Sequence, residues 1–389
     1  MISWPGAFAL LAALLAALLS RRLISVKAPL GHNAALDGFR GYLAFGVFLH
    51  HAVVWFFYLH GSGWGRPPPG VYQELGLFCV DFFFMITAFL FVGKLIDGRS
   101  RPVDWLHLYL SRLLRIVPLY LLAVTVLCVL VGVATRWTLN EPVGALLAHV
   151  GQWLLFDFAS MPAINGYSGT PILISFVIWS LEYEWLFYLS LPVLAALLRV
   201  RVPLLLVAAS AGLLLLACLT LPKLFFPFSF VLGAVVAAVV RAPRLAAPFK
   251  SRVAGAAALS ALAALLFLPM PHLISLGCML VSFCTIASGN GLFGLLTNRA
   301  AVELGEASYG IYLLHGLVLS GTLLFVVGAD RAARMDAGTY WLVAGAIGVV
   351  VAVVASTTYC LLELPLLRKA SPWTKAWRRA TDARVELRS

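Results

Sequence analysis

The chain has 389 residues, 62% of them hydrophobic and only 11% charged, with a mean hydropathy of +0.97. That balance excludes a soluble globular domain: apolar runs of about 20 residues, each long enough to cross a hydrocarbon core ~30 Å thick, recur from end to end. The net charge of +12 is no sign of a nucleic-acid partner, because the basic residues punctuate the apolar runs as determinants of membrane topology.

The expected fold is all-α, a polytopic helical membrane protein with about 11 transmembrane helices. In chain order their approximate limits are 3–20, 37–59, 75–96, 113–134, 176–198, 203–221, 225–240, 253–270, 272–289, 308–328 and 340–362. The apolar segment 144–158 is short and interrupted by His149, Gln152 and Asp157, which suits an interfacial or re-entrant helix. The loop 60–74 carries Pro67, Pro68 and Pro69 between Gly65 and Gly70 and is expected to be stiff and extended. The longer loop 135–175 is rich in Gly, Pro, Ser and Asn and has room to touch an external substrate.

With the C-terminus placed in the cytoplasm, 23 of the 28 Lys and Arg residues fall in cytoplasmic segments, leaving Arg66, Arg136, Lys223, Arg331 and Arg334 outside. The first span has no basic segment before it and ends in Arg21-Arg22, the wrong polarity for a cleaved signal peptide. It reads as a retained helix with an external N-terminus. The expected organisation is an extra helix and basic linker over 1–30, one integrated membrane domain over 31–370, and a basic cytoplasmic tail over 371–389, with no soluble appendage. The six cysteines, Cys79, Cys128, Cys218, Cys278, Cys284 and Cys360, all lie in apolar segments without paired spacing and read as small core residues, with neither a disulfide framework nor a metal site.

Ionisable groups within spans cost about 2.5–3.5 kcal/mol each on insertion scales and usually face an interior cavity. The second span opens on Asp37 and Arg40 and holds His50 and His51. At ~100° and ~1.5 Å per residue, Arg40 and His51 share a face about three turns, or ~16 Å, apart, whereas His50 is rotated away by about 80°. Asp37 is one turn from Arg40 and can brace it as an i,i+3 ion pair. Asp81, among four nearby aromatics, is either a hydrogen-bonding brace or a group that orients a histidine. Arg112 and Arg115 share a face at a cytoplasmic rim, where they either anchor the helix or clamp phosphate through their forked guanidinium groups. Glu184 lies ~12 Å below the outer end of its span, the same depth as His51, so a His–carboxylate contact is allowed; Tyr188 shares its face at i,i+4. Glu182 points the other way.

Together these segments resemble the membrane acyltransferase family called acyltransferase family 3, over about residues 36–368. "LDGFRGYLAFGVFLHH" resembles the opening signature, an Arg and a His separated by ten residues; Arg40 and His51 match and His50 does not. "VDFFFMITAFLF" resembles the second signature, with Thr87-Ala88 where Ser-Gly is more usual, and "RLLRIVPLY" resembles an Arg-x-x-Arg-x-x-Pro segment. "WSLEYEWLFYL" matches through Trp179, Ser180, Glu184, Phe187 and Tyr188, and "LGEASYGIYLLHGLV" and "ELPLLR" place His315 and Glu363 at late family positions.

The resemblance implies a core of about ten spans that passes an acyl group, often acetyl, from cytoplasmic acyl-CoA to a sugar hydroxyl outside. It implies no metal. The phosphates of acyl-CoA would meet Arg40, Arg112 and Arg115. His51 would serve as general base or as acyl carrier, with Glu184 or Asp81 holding its tautomer. Tyr188 or Trp185 could donate to an oxyanion, and Trp179, Ser180 and His315 would give support. The implied setting is the bacterial inner membrane, with membrane lipid around the protein and a cell-envelope saccharide or glycolipid as acceptor. Some relatives carry a secreted SGNH-type domain after the core; none is expected here, so any such partner would be a separate chain. A proton-coupled secondary transporter, with His51, Asp81 and Glu184 as a relay, is the alternative.

Overall fold

Asn33 caps the first long helix: its side chain accepts hydrogen bonds from the Ala35 and Leu36 amides, and an apolar run follows. The computed structural model describes residues 33–156, 158, 160–221, 227–370 and 372–374, together with Ala9, Leu11, Ala12 and Leu14. In chain order its helices are α1 (Ala34–Phe57), α2 (Val71–Asp97), α3 (Trp105–Ala134), α4 (Val143–Trp153), α5 (Thr170–Leu173) and α6 (Trp179–Leu197). They continue as α7 (Leu204–Thr220), α8 (Phe228–Arg241), α9 (Pro243–Ala246), α10 (Arg252–Phe267) and α11 (His272–Ala287). The last are α12 (Arg299–Glu306), α13 (Ser308–Ser320), α14 (Ala329–Ala332) and α15 (Ala337–Thr358). π-helical turns extend α1 over Tyr58–Ser62, α13 over Gly321–Gly328 and α15 over Tyr359–Glu363.

Each expected span from 37–59 onward therefore holds a helix. Five helical segments are long and apolar enough to cross a membrane: Ala34–Ser62, Val71–Asp97, Trp105–Ala134, Ser308–Ala332 and Ala337–Thr374. A sixth results if Phe228–Arg241 and Pro243–Lys250, bent by 105°, form one broken span. Helices α7, α10 and α11 are apolar but shorter, and the polar start of α6 lowers its apolarity. The eleven-span count thus reduces to five or six segments that meet these criteria among the described residues. The expected 3–20 span, the basic linker, Asp157, Lys223 and the tail beyond residue 374 lie outside the described residues, apart from Ala9, which is buried in the α1–α15 core, and Leu14, which packs against it.

The expected interfacial segment is the 11-residue α4. Its loop is tied by polar contacts: Asn165 donates to the Thr138 carbonyl at 2.7 Å and accepts from the Asn140 amide at 2.8 Å, while Trp153 Nε1 donates to the Pro162 carbonyl at 2.9 Å. Asp336, exposed at the N-cap of α15, has its carboxyl held below the usual carboxylate range by the Thr339 amide, the Thr339 hydroxyl and the Gly338 amide.

Two apolar clusters share α1 and α13. One joins the start of α1 to α2, α3, α6, α8 and α11; the other joins the rest of α1 to α13 and α15. Arg241 of α8 makes a two-pronged ion pair with Asp97 of α2, at 2.7 and 2.8 Å. Small residues allow the closest backbone approach, between α1 and both α12 and the turn before it. A Cβ on Gly305 would lie 1.8 Å from the Asp37 carbonyl oxygen, and one on Gly38 would lie 1.8 Å from that of Leu296. This contact fixes the Asp37–Arg40 turn against the bundle. Gly305→Val is expected to destabilise the protein by at least about 1–3 kcal/mol, the range for overpacking, read as a lower melting temperature in detergent.

Candidate active site

A cavity of about 660 Å³ opens between α1, α2, α3, α6, α13 and the Tyr359–Leu367 segment. Its lining includes five cations: Arg40 from α1, Lys94 from α2, Arg112 and Arg115 from α3, and Arg368. Arg40 is held by Asp37 at 3.4 Å, the expected i,i+3 pair, and by the Ser308 hydroxyl at 3.3 Å. Arg112 lies 5.2 Å from the centre of the Phe91 ring and bonds the Tyr188 hydroxyl. Nε of Arg112 and one terminal nitrogen of Arg115 are buried with no hydrogen-bond partner among the described residues. Buried, unsatisfied donors on guanidinium groups are costly, and an anion with several acceptor oxygens satisfies them. Glu363, fully buried, has neither carboxylate oxygen hydrogen-bonded among the described residues, and it lies within electrostatic reach of Arg115 and Arg40.

The far wall of the cavity is apolar and aromatic. Phe83 meets Tyr312 edge-on with ring centres 5.9 Å apart. The Tyr312 hydroxyl is 2.6 Å from that of Ser180, and donates to the Val177 carbonyl at 3.1 Å. One helical turn beyond Tyr312 on α13 is His315, fully buried, whose Nε2 lies 3.0 Å from Nδ1 of His51. The two imidazoles thus stand behind the cavity wall, on the side away from the arginines. On the other side of His51 sits an aromatic cluster. Trp64 stacks with the His51 ring at 6.4 Å between centres and contacts Trp55, Tyr58 and Phe176 at 5.5, 5.6 and 6.0 Å. Two consecutive non-glycine residues there, Ser175 and Phe176, have φ of 53° and 55°, a strained left-handed backbone of the kind found beside functional sites.

His50 is turned to α2, where its Nδ1 donates to the Tyr72 carbonyl at 2.7 Å. Gly76 makes the room: a Cβ there would fall 2.4 Å from that nitrogen.

The structure corrects the expected carboxylate partner. Asp81 is bonded to the Ser229 hydroxyl of α8 and braces α2 against that helix. Glu184 is bonded to the Tyr188 hydroxyl and lines the cavity beside Arg112. Neither is joined to His51, because equal depth leaves open the direction each helix presents to its neighbours. Tyr188, engaged by Glu184 and Arg112, is likewise a cavity residue, and Trp185 Nε1 is buried without a partner among the described residues. Ser180 closes the cavity, whereas Trp179 is 37% exposed and packs on Phe84 and Tyr183.

Lys94 and Arg368 were legible only as topology determinants, although Phe84, Thr87, Phe91 and Lys94 repeat at i, i+3, i+7 and i+10 and all line the cavity. Among the described residues no group of three or more His, Cys, Asp or Glu side chains could hold a metal ion.

A helical membrane protein with an interior cationic cavity walled off by Phe83 and Tyr312 from a histidine pair is the class these features define. A family model described as an acyltransferase domain, that of acyltransferase family 3, matches residues 33–359, and the chain belongs to that family. It is an acyltransferase for groups other than aminoacyl groups, and the transporter alternative gives way to that membership. No curated protein and no solved structure matches the chain.

Proposed function

We propose that the chain is a membrane O-acyltransferase that moves an acyl group, acetyl by default, from cytoplasmic acyl-CoA to a hydroxyl of a surface or exported glycan or glycolipid. One observation carries this reading: guanidinium donors of Arg112 and Arg115 that have no partner among the described residues share a cavity with Arg40, and Tyr312 in its wall is one helical turn from His315, which meets His51. The phosphates of acyl-CoA take the arginine end. The pantetheine arm runs along the apolar face of Phe84 and Thr87 toward Tyr312, and Phe83 and Tyr312 must part for the thioester to reach His51. His51 then accepts the proton of the acceptor hydroxyl through Nε2, or takes the acyl group on that same nitrogen. The positive-inside pattern supports a cytoplasmic arginine end and C-terminus, an external N-terminus and an external Trp64 cluster in a bacterial plasma membrane.

The activity is tested with the protein in lipid nanodiscs, labelled acetyl-CoA and envelope glycan fractions. Acceptor-dependent release of free CoA thiol, with label recovered in the glycan, is the expected result; label that stays in acetyl-CoA with every fraction overturns the reading. The acceptor side makes its own prediction. Apolar faces of sugar rings stack on aromatic side chains, and Trp64 is the ring beside His51. Trp64→Ala is expected to raise the acceptor KM about fivefold, for about 1 kcal/mol of stacking, with the acyl-CoA KM unchanged. Steady-state kinetics with each substrate varied in turn checks it.

A further inference from the structure

The sequence calls for a carboxylate behind His51, and the structure puts a second imidazole there. We propose that His51 and His315 form a His–His dyad, in which His315 is a positioning residue that accepts a hydrogen bond from the Nδ1–H of His51 and stabilises the imidazolium formed when His51 takes a proton. The inference rests on the acyltransferase reading of the same site.

The direction of each hydrogen bond follows from its partner. Nδ1 of His315 faces the Ile311 carbonyl at 3.0 Å, and a carbonyl only accepts, so this nitrogen bears the proton. In the neutral ring Nε2 of His315 is then an acceptor. Nδ1 of His51 faces two acceptors: the Val47 carbonyl at 3.2 Å and Nε2 of His315 at 3.0 Å. It therefore bears the proton and shares it between them. Only one tautomer of each neutral ring satisfies all three contacts, an assignment made from the network. The consequence is that Nε2 of His51 is unprotonated, and it has no hydrogen-bond partner among the described residues.

The Val47 carbonyl alone would set this tautomer. His315 adds a basic nitrogen from a different helix. It is held between Phe48, at 6.5 Å between ring centres, and Tyr312, at 6.3 Å. A carboxylate in that apolar setting would carry charge through every stage of the cycle at a high desolvation cost; an imidazole is neutral at rest and polarises only when charge forms opposite it.

In the general-base route the balance is complete. The acceptor O–H gives its proton to Nε2 of His51 as its oxygen bonds to the thioester carbonyl carbon. The C–S bond then breaks, and the departing thiolate takes the proton back from Nε2. The Nδ1–H of His51 stays in its bond to His315 throughout, so ester and free thiol are the only products.

Two conservative variants separate this role from packing. The side-chain amide of His315→Asn can still donate to the Ile311 carbonyl but sets no acceptor against His51. His315→Gln places an amide oxygen near the position of the lost Nε2. His315→Asn is expected to lower kcat at least tenfold, with the ~10²–10⁴-fold that the whole general base supplies as the ceiling, and to keep the wild-type acyl-CoA KM and a melting temperature close to that of His315→Gln. His315→Gln is expected to keep kcat within about threefold, by the same acceptor logic. Wild-type kcat in His315→Asn, or equal impairment in the two variants, overturns the dyad. Transfer that survives in His51→Ala instead overturns the acyltransferase assignment of the site, whichever result His315 gives.

Discussion

His51→Ala is expected to lower acceptor acylation by about 10²–10⁴-fold, the contribution of a general base, and to abolish it if His51 carries the acyl group. On the proposed reading the variant is expected still to insert and to bind acyl-CoA, because the arginine cavity does not include His51. Its neighbour behaves differently. His50→Ala removes the hydrogen bond to Tyr72 and the ring packed over Gly76, so its cost falls on stability, about 1–3 kcal/mol, with kcat within a few-fold of wild type. The pair is measured side by side: label transfer from acetyl-CoA to acceptor, donor binding, and thermal unfolding. Two outcomes would sink the assignment of Nε2 of His51 as the reacting atom. One is an active His51→Ala; the other is a His50→Ala that folds normally and is as inactive as His51→Ala.

Much of this was legible in one helix read by phase. The eleven-residue interval places Arg40 and His51 on a common face and rotates His50 away, and the structure sends Arg40 to the cavity and His50 to α2. The Asp37–Arg40 pair needed only the i,i+3 rule, and Asn33 only the capping rule. What phase and depth could not supply is azimuth between helices. Glu184 and His51 lie at similar depths, yet α6 turns Glu184 toward Tyr188, while α13, 264 residues further along the chain from His51, presents His315. Which helix lies against α1 is decided by its glycine face, Gly38 and Gly41, packed on α12 and the turn before it, and by the packing of α13, and these are properties of two surfaces at once. The π-helical turns at Tyr58–Ser62 and Tyr359–Glu363 also break a strict 3.6-residue count, and the second re-aims the buried Glu363 relative to α15.

Arg112→Gln and Arg115→Gln should each raise the acyl-CoA KM roughly 10- to 100-fold, the loss of about 1.5–3 kcal/mol for a hydrogen bond to a charged group. The five cations around one low-dielectric cavity repel one another, and the acids near them, Asp37, Glu184 and Glu363, leave guanidinium donors of Arg112 and Arg115 without a partner among the described residues. A ligand with a cluster of phosphates relieves both costs, so donor binding should weaken as salt rises, and each arginine removed should flatten that dependence. Arg112→Lys keeps the charge but loses the planar fork and its stacking on Phe91, and should fall between wild type and glutamine. Effects confined to KM, with kcat at saturating donor near wild type, mark a binding role, since these groups lie across the Phe83–Tyr312 wall from the histidine pair. Comparing acetyl-CoA with its 3′-dephospho form and with acetyl-pantetheine in each variant assigns the phosphate to the arginine: a variant that has lost the contact no longer tells a donor that has that phosphate from one that lacks it. Unchanged KM values for all three donors across the whole salt series would put the phosphates elsewhere and remove the arginine cavity from the donor path.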